Sequence, residues 1–133
     1  MLGKFALSVL VVFVLSLGLG YLFHGVLLGP DYAALPSLFR TPTDQQAHFV
    51  WMLIAQAMTA IGFSWIYIKG REAKPFLAQG LRFGAAVAVL MTVPTLLVYY
   101  AVQPMPGVLV AKQIACDVVT VLVMGVAVAW VNR

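Results

Sequence analysis

The chain has 133 residues, 63% of them hydrophobic and only 9% charged, with a formal net charge of +4. A soluble domain of this size carries about 25% charged residues, so the composition excludes an ordinary water-soluble fold and points to lipid. The basic excess argues against a nucleic-acid partner, because the cations stand at the ends of apolar runs instead of forming one stripe.

Four apolar runs cover residues 5–28, 49–68, 81–102 and 108–131. Each matches the roughly 20 apolar residues that a helix needs to cross a bilayer. The sequence predicts an all-α fold, an integral membrane four-helix bundle forming a single transmembrane domain over 1–133. Its spans fall at about 4–28, 46–69, 78–102 and 107–131.

Lys4 precedes the first run, which is too long for a signal peptide and lacks a small-residue cleavage site, so it reads as a retained span. Ser16 and Gly20 share one face and would let a neighbouring backbone approach. His24 lies about one turn from the end, and Gly29-Pro30 closes the helix. The link over 30–42 is the longest. Tyr32, Leu35, Leu38 and Phe39 suit a short interfacial helix there, interrupted at Pro36.

Thr43 and Gln46 form a capping-box pattern at the start of the second helix, and Asp44 suits its first turn. Gln56 lies two to three turns in, and Gly70 fits the position just past the end. The short link 71–74 predicts that helices two and three are antiparallel neighbours. On helix three, Gly80, Gly84 and Ala88 form a small-residue strip, and Pro94, flanked by Thr92 and Thr95, predicts a kink. The equally tight link 103–107 predicts that helices three and four also pack as a hairpin, and helix four carries Lys112, Gln113, Asp117 and Thr120, then a second strip, Gly125 and Ala129.

Lys4, Lys69, Arg71, Lys74, Arg82 and Arg133 mark one side of this layout, and Arg40 and Lys112 the other. By the positive-inside rule both termini are cytoplasmic, in a multi-pass protein of the bacterial inner membrane. Tyr21, Phe23, Phe49, Trp51, Tyr99 and Tyr100 are expected in an outer aromatic belt. Phe5, Trp65, Tyr67, Phe76, Phe83 and Trp130 are expected in an inner one. The single cysteine, Cys116, excludes an internal disulfide and reads as a core residue.

Asp117 is the costliest residue in these spans. A carboxylate at mid-bilayer costs at least about 2.5–3.5 kcal/mol on insertion scales, so it must face inward, find a partner or take up a proton. His24, Gln56 and Gln113 are the expected hydrogen-bond partners, while the Lys112 side chain is expected to reach outward to the headgroups. With Thr95 these form the candidate ligand or proton site. Catalytic residues, metal ligands and cofactors are not indicated: no HxxxH-like spacing accompanies His24 or His48.

Gly20-Tyr21-Leu22-Phe23-His24-Gly25, Gly80-Leu81-Arg82-Phe83-Gly84 and Met124-Gly125 together resemble small bacterial four-helix inner-membrane proteins of the DUF1761 group. The resemblance implies the architecture and no activity. Small multidrug transporters are a poorer match, since helix one here has no acidic residue. The leading functional expectation is a non-enzymatic accessory or scaffold subunit packing with itself or a larger membrane complex. The alternative is a transporter or binder of a small molecule, lipid or proton around Asp117. A lipid- or quinone-directed enzyme would need His24 and Asp117 to converge, with Lys112 as a further candidate.

Overall fold

An apolar segment has to pair its own backbone polar groups, and a helix does so within one stretch of chain. The computed structural model describes residues 1–133, and it is all-helical without strands. Its helices are α1 (Leu2–Leu27), α2 (Gly29–Ala33), α3 (Pro42–Ala47), α4 (Phe49–Gly70), α5 (Phe76–Val102) and α6 (Gly107–Val131). Four of them, α1, α4, α5 and α6, are long and apolar enough to cross a membrane. Two are not uniform: α1 widens into a π-helix over Tyr21–Leu27, and α5 does so over Ala88–Thr92. The second widening immediately precedes Pro94, whose missing N–H and bulky ring disturb the α-helical ladder there.

Several helix ends differ from the sequence expectation. Gly29-Pro30 begins α2 instead of merely closing α1, because proline suits a helix's first turn; the break falls at Leu28. Thr41, not Thr43, caps α3: Pro42 takes the first helical position, and the Thr41 hydroxyl accepts the Asp44 N–H at 3.3 Å. The helix then breaks at His48 before α4 starts. Gly70 is the last residue of α4, and no residue of the chain has a positive φ, so no left-handed cap is used.

Both termini lie at one end of the bundle, here the near end; the links 28–48 and 103–106 form the far end. The most extensive helix pairing is α5 on α6, followed by α1 on α4 and α1 on α6. A Cβ added at Gly80 would stand 2.7 Å from the Gly125 carbonyl oxygen, and one at Gly84 2.9 Å from the Leu122 Cα. Gly125 faces the Gly80 carbonyl oxygen in return. The α5 and α6 strips are therefore used against each other within one chain. Ser16 is buried, with its hydroxyl donating to the Phe13 carbonyl oxygen at 2.9 Å. Gly20 has open space where a side chain would project, so no neighbour exploits it.

The expected α4–α5 pairing is slight beside the others and includes ring contacts. Phe83 meets Phe63 at 4.6 Å and Tyr67 at 5.3 Å between centroids. Seating the glycines of α5 on α6 leaves bulky side chains to fill the space toward α4. Tyr67 and Phe83 thus belong to the interior instead of an aromatic belt: Tyr67 is buried in the core with Val12, Ala60, Phe63, Met124, Val128 and Ala129, and Phe83 packs against it. This core occupies the near half. Polar ties close it: Asn132 Nδ2 donates to Ser8 Oγ at 2.8 Å, Lys4 Nζ to the Arg133 carbonyl oxygen at 3.2 Å, and Arg71 to the Asn132 carbonyl oxygen.

Candidate functional site

The far half is held by polar contacts. His24 lies in the π-helical part of α1, a geometry that recurs at functional sites. Asp117 stands ten residues into α6, roughly 15 Å from its start. The two meet: His24 Nε2 is 2.6 Å from Asp117 Oδ1. The other ring nitrogen, Nδ1, is 2.6 Å from the Tyr32 hydroxyl, and Gln113 Nε2 donates to that same oxygen at 3.1 Å. One continuous chain therefore runs from Asp117 through His24 and Tyr32 to Gln113, joining α1, α2 and α6.

Tyr32 reaches the cluster because Pro30 starts α2 directly after α1 and folds the chain back over His24. Its ring lies 6.0 Å from the imidazole and nearly parallel, with Phe39 edge-on at 4.8 Å on another side. Burial pushes the Tyr32 phenol above its usual range. The Gln113 hydrogen bond works the other way, and the Asp117 carboxylate adds to the rise. A phenol held protonated can donate to His24 Nδ1. The ring proton then sits on Nε2, facing the carboxylate, so each donor meets an acceptor along the chain. This tautomer follows from matching the partners.

Gln113 is buried, and its Oε1 has no partner. His24 and Asp117 remain about one third exposed at their side chains, at 34% and 29%, so the pair is sheltered without being sealed. Lys112, still exposed, stands at the rim and donates to Asp31 Oδ1 at 3.1 Å.

Asp117, His24 and Gln113 are thus brought together, with Lys112 at the edge. Gln56 is half-buried on α4 and makes no hydrogen bond to the cluster. Thr95 is exposed on α5 and donates to the Met91 carbonyl oxygen of its own helix at 2.5 Å. Pro94 is exposed beside it. Sequence reasoning placed Tyr32 at a membrane surface and gave Asp31 no role. The signal available for Tyr32 was its phenol, which wants a partner when buried. The metal-donor types present in the cluster are His24 and Asp117, and no group of three or more His, Cys, Asp or Glu residues converges anywhere in the chain.

Compared with known proteins, the chain matches no family model, no curated protein and no solved structure.

Proposed function

We propose that the chain is a four-span protein of the bacterial inner membrane, with the near end in the cytoplasm and the far end outside. The support is the set of four apolar helices together with six cations flanking the near end, Lys4, Lys69, Arg71, Lys74, Arg82 and Arg133, against Arg40 and Lys112 at the far end. Within that frame we propose a non-enzymatic accessory protein whose far-end cluster binds and releases a proton. The DUF1761 resemblance contributes architecture to this reading and nothing about activity.

The observation that carries the proposal is the unbroken chain Asp117–His24–Tyr32. Protonating the imidazole places a second N–H on Nδ1. Tyr32 Oη then accepts from it and must turn its own proton elsewhere. Gln113 Oε1, buried without a partner, becomes that acceptor once the amide turns over. The cluster can therefore hold one more proton and keep its links. Burial works against a Tyr32 phenolate base, while the His24–Asp117 contact is also the convergence that a lipid- or quinone-directed enzyme would need.

The reading is tested by 15N NMR of the two histidines in lipid nanodiscs between about pH 5 and 8, where histidine changes charge. The His24 ring is expected to carry its neutral-form proton on Nε2 and to gain one on Nδ1 as pH falls, and Asp117→Asn to alter the His24 signals while leaving those of His48 in place. A His24 ring that gains no proton on Nδ1, or His24 signals indifferent to Asp117→Asn, would sink the proposal. Orientation is tested separately. With Cys116→Ser as background, Lys74→Cys should resist a membrane-impermeant maleimide in spheroplasts and Arg40→Cys should react.

A further inference from the structure

The geometry points to an anionic phospholipid bound at the near end, its acyl chain in a groove between α5 and α6 and its phosphate against Arg133. This rests on the membrane reading above and is independent of the far-end cluster.

Two open cavities of about 570 Å³ each adjoin there, within the roughly 300–1,000 Å³ typical of small-molecule sites. The first is wholly apolar, lined by Leu15 of α1, Leu81 of α5, and Leu122, Val126 and Trp130 of α6. The second is polar, with Arg71, Lys74, Gln79 and Arg133 on its walls. Phe76 lines both, so the apolar groove runs into the polar cleft.

Arg133 stands at that junction. Its guanidinium lies 5.1 Å from the Trp130 ring centroid and 5.9 Å from that of Phe76. Stacking on two rings fixes the planar group and leaves its N–H edge available for an anion. The other charges of the cleft are engaged: Lys74 pairs with Glu72, and Arg71 donates to the Asn132 carbonyl oxygen. Neither Arg133 nor Arg71 has a carboxylate partner, and Arg133 alone of the two stands beside the apolar groove, against Trp130 and Phe76. A helix from a second copy would fill the apolar part and leave this cation unmatched, whereas a phospholipid satisfies both parts at once: apolar tail below, phosphate above.

Native mass spectrometry of the whole protein, extracted in mild detergent with equal amounts of phosphatidylglycerol and phosphatidylcholine, tests the site. The wild-type chain is expected to retain phosphatidylglycerol selectively. Arg133→Gln should weaken that retention about fivefold, the effect of one surface cation on an anionic lipid. Val123→Trp, which fills the groove from its lipid-exposed wall, should abolish retention with helix content unchanged; Leu81→Trp serves if that variant does not fold. Glycerol 3-phosphate alone should not displace the lipid. Equal retention of both lipids, indifference to Arg133→Gln, displacement by the free phosphate, or a dimer that Val123→Trp dissolves would each overturn the proposal. Failure of the membrane reading shows differently: the protein would leave the membrane fraction in alkaline carbonate.

Discussion

His24 Nε2 and Asp117 Oδ1, separated by 93 positions in sequence, lie 2.6 Å apart and join the first long helix to the last. The same two helices are tied at their other ends by Asn132 and Ser8. The α1–α6 pair is thus fastened near both ends, by a titratable contact at one and a neutral one at the other.

Asp117→Asn keeps an acceptor and loses the charge. A hydrogen bond to a charged group contributes about 1.5–3 kcal/mol. With both side chains near one-third exposed, solvent screening brings the expected loss to about 1 kcal/mol. Thermal unfolding in detergent should show it. In a double-mutant cycle with His24→Ala the two losses should not add, because the residues share one contact. Strict additivity would mean that the contact contributes nothing.

Tyr32→Phe removes the hydroxyl shared by His24 and Gln113, and should cost about 1–3 kcal/mol near neutral pH. The alkaline limb adds a sign. The folded phenol titrates above its unfolded value, mainly through burial, so its stabilising contribution is complete below about pH 10 and fades as pH rises through the folded value. Melting curves from pH 8 to 11.5 should therefore show the gap between wild type and Tyr32→Phe narrowing as pH rises. A constant gap would exclude the linkage.

Gly125→Ala and Gly20→Ala should part company. At Gly125 the new methyl group meets the Gly80 backbone, and overpacking costs about 1–3 kcal/mol. At Gly20 it meets nothing, and a helical Gly-to-Ala change gains up to about 1 kcal/mol. Relative melting temperatures of the two variants decide it; equal effects would contradict the α5–α6 crossing.

Thr41→Ala should destabilise by about 1 kcal/mol through loss of the cap, whereas Thr43→Ala should change little. Amide exchange at Asp44 reports the cap directly: it should quicken in the first variant alone.

The long helices were legible because apolar runs of this length have few other solutions. The close crossing of α5 and α6 was legible in part: spacing marked Gly80, Gly84 and Gly125 as small, without saying that they meet each other. Asp117 and His24 stood out because polar residues are expensive in such runs, yet spacing along one helix holds no information about which helix lies opposite. Connectivity suggested α4 beside α5 and α5 beside α6; the second pairing is the most extensive one, where the glycines meet, and α4 packs mainly on α1. Tyr32 escaped because a one-turn helix inside a link has no periodicity to read.

Ser8, Val12 and Ser16 recur every four residues and are all buried, which fixes one face of α1. At 3.6 residues per turn, an unbroken α-helix would carry His24 roughly 80° around the axis from Ser16. The wider π turns over Tyr21–Leu27 advance less per residue and swing the imidazole back toward that face. The helix thus has two phases, one for its buried seam and one for its histidine, reconciled by about one surplus residue. Deleting one residue between Tyr21 and Phe23 would let a plain α-helix carry the histidine to nearly the same face, about 20° from Ser16, whereas deleting two would leave hydropathy almost untouched and turn the histidine away from its carboxylate. What a reader of the chain would pass over as a neutral change in length acts here as a setting of angle.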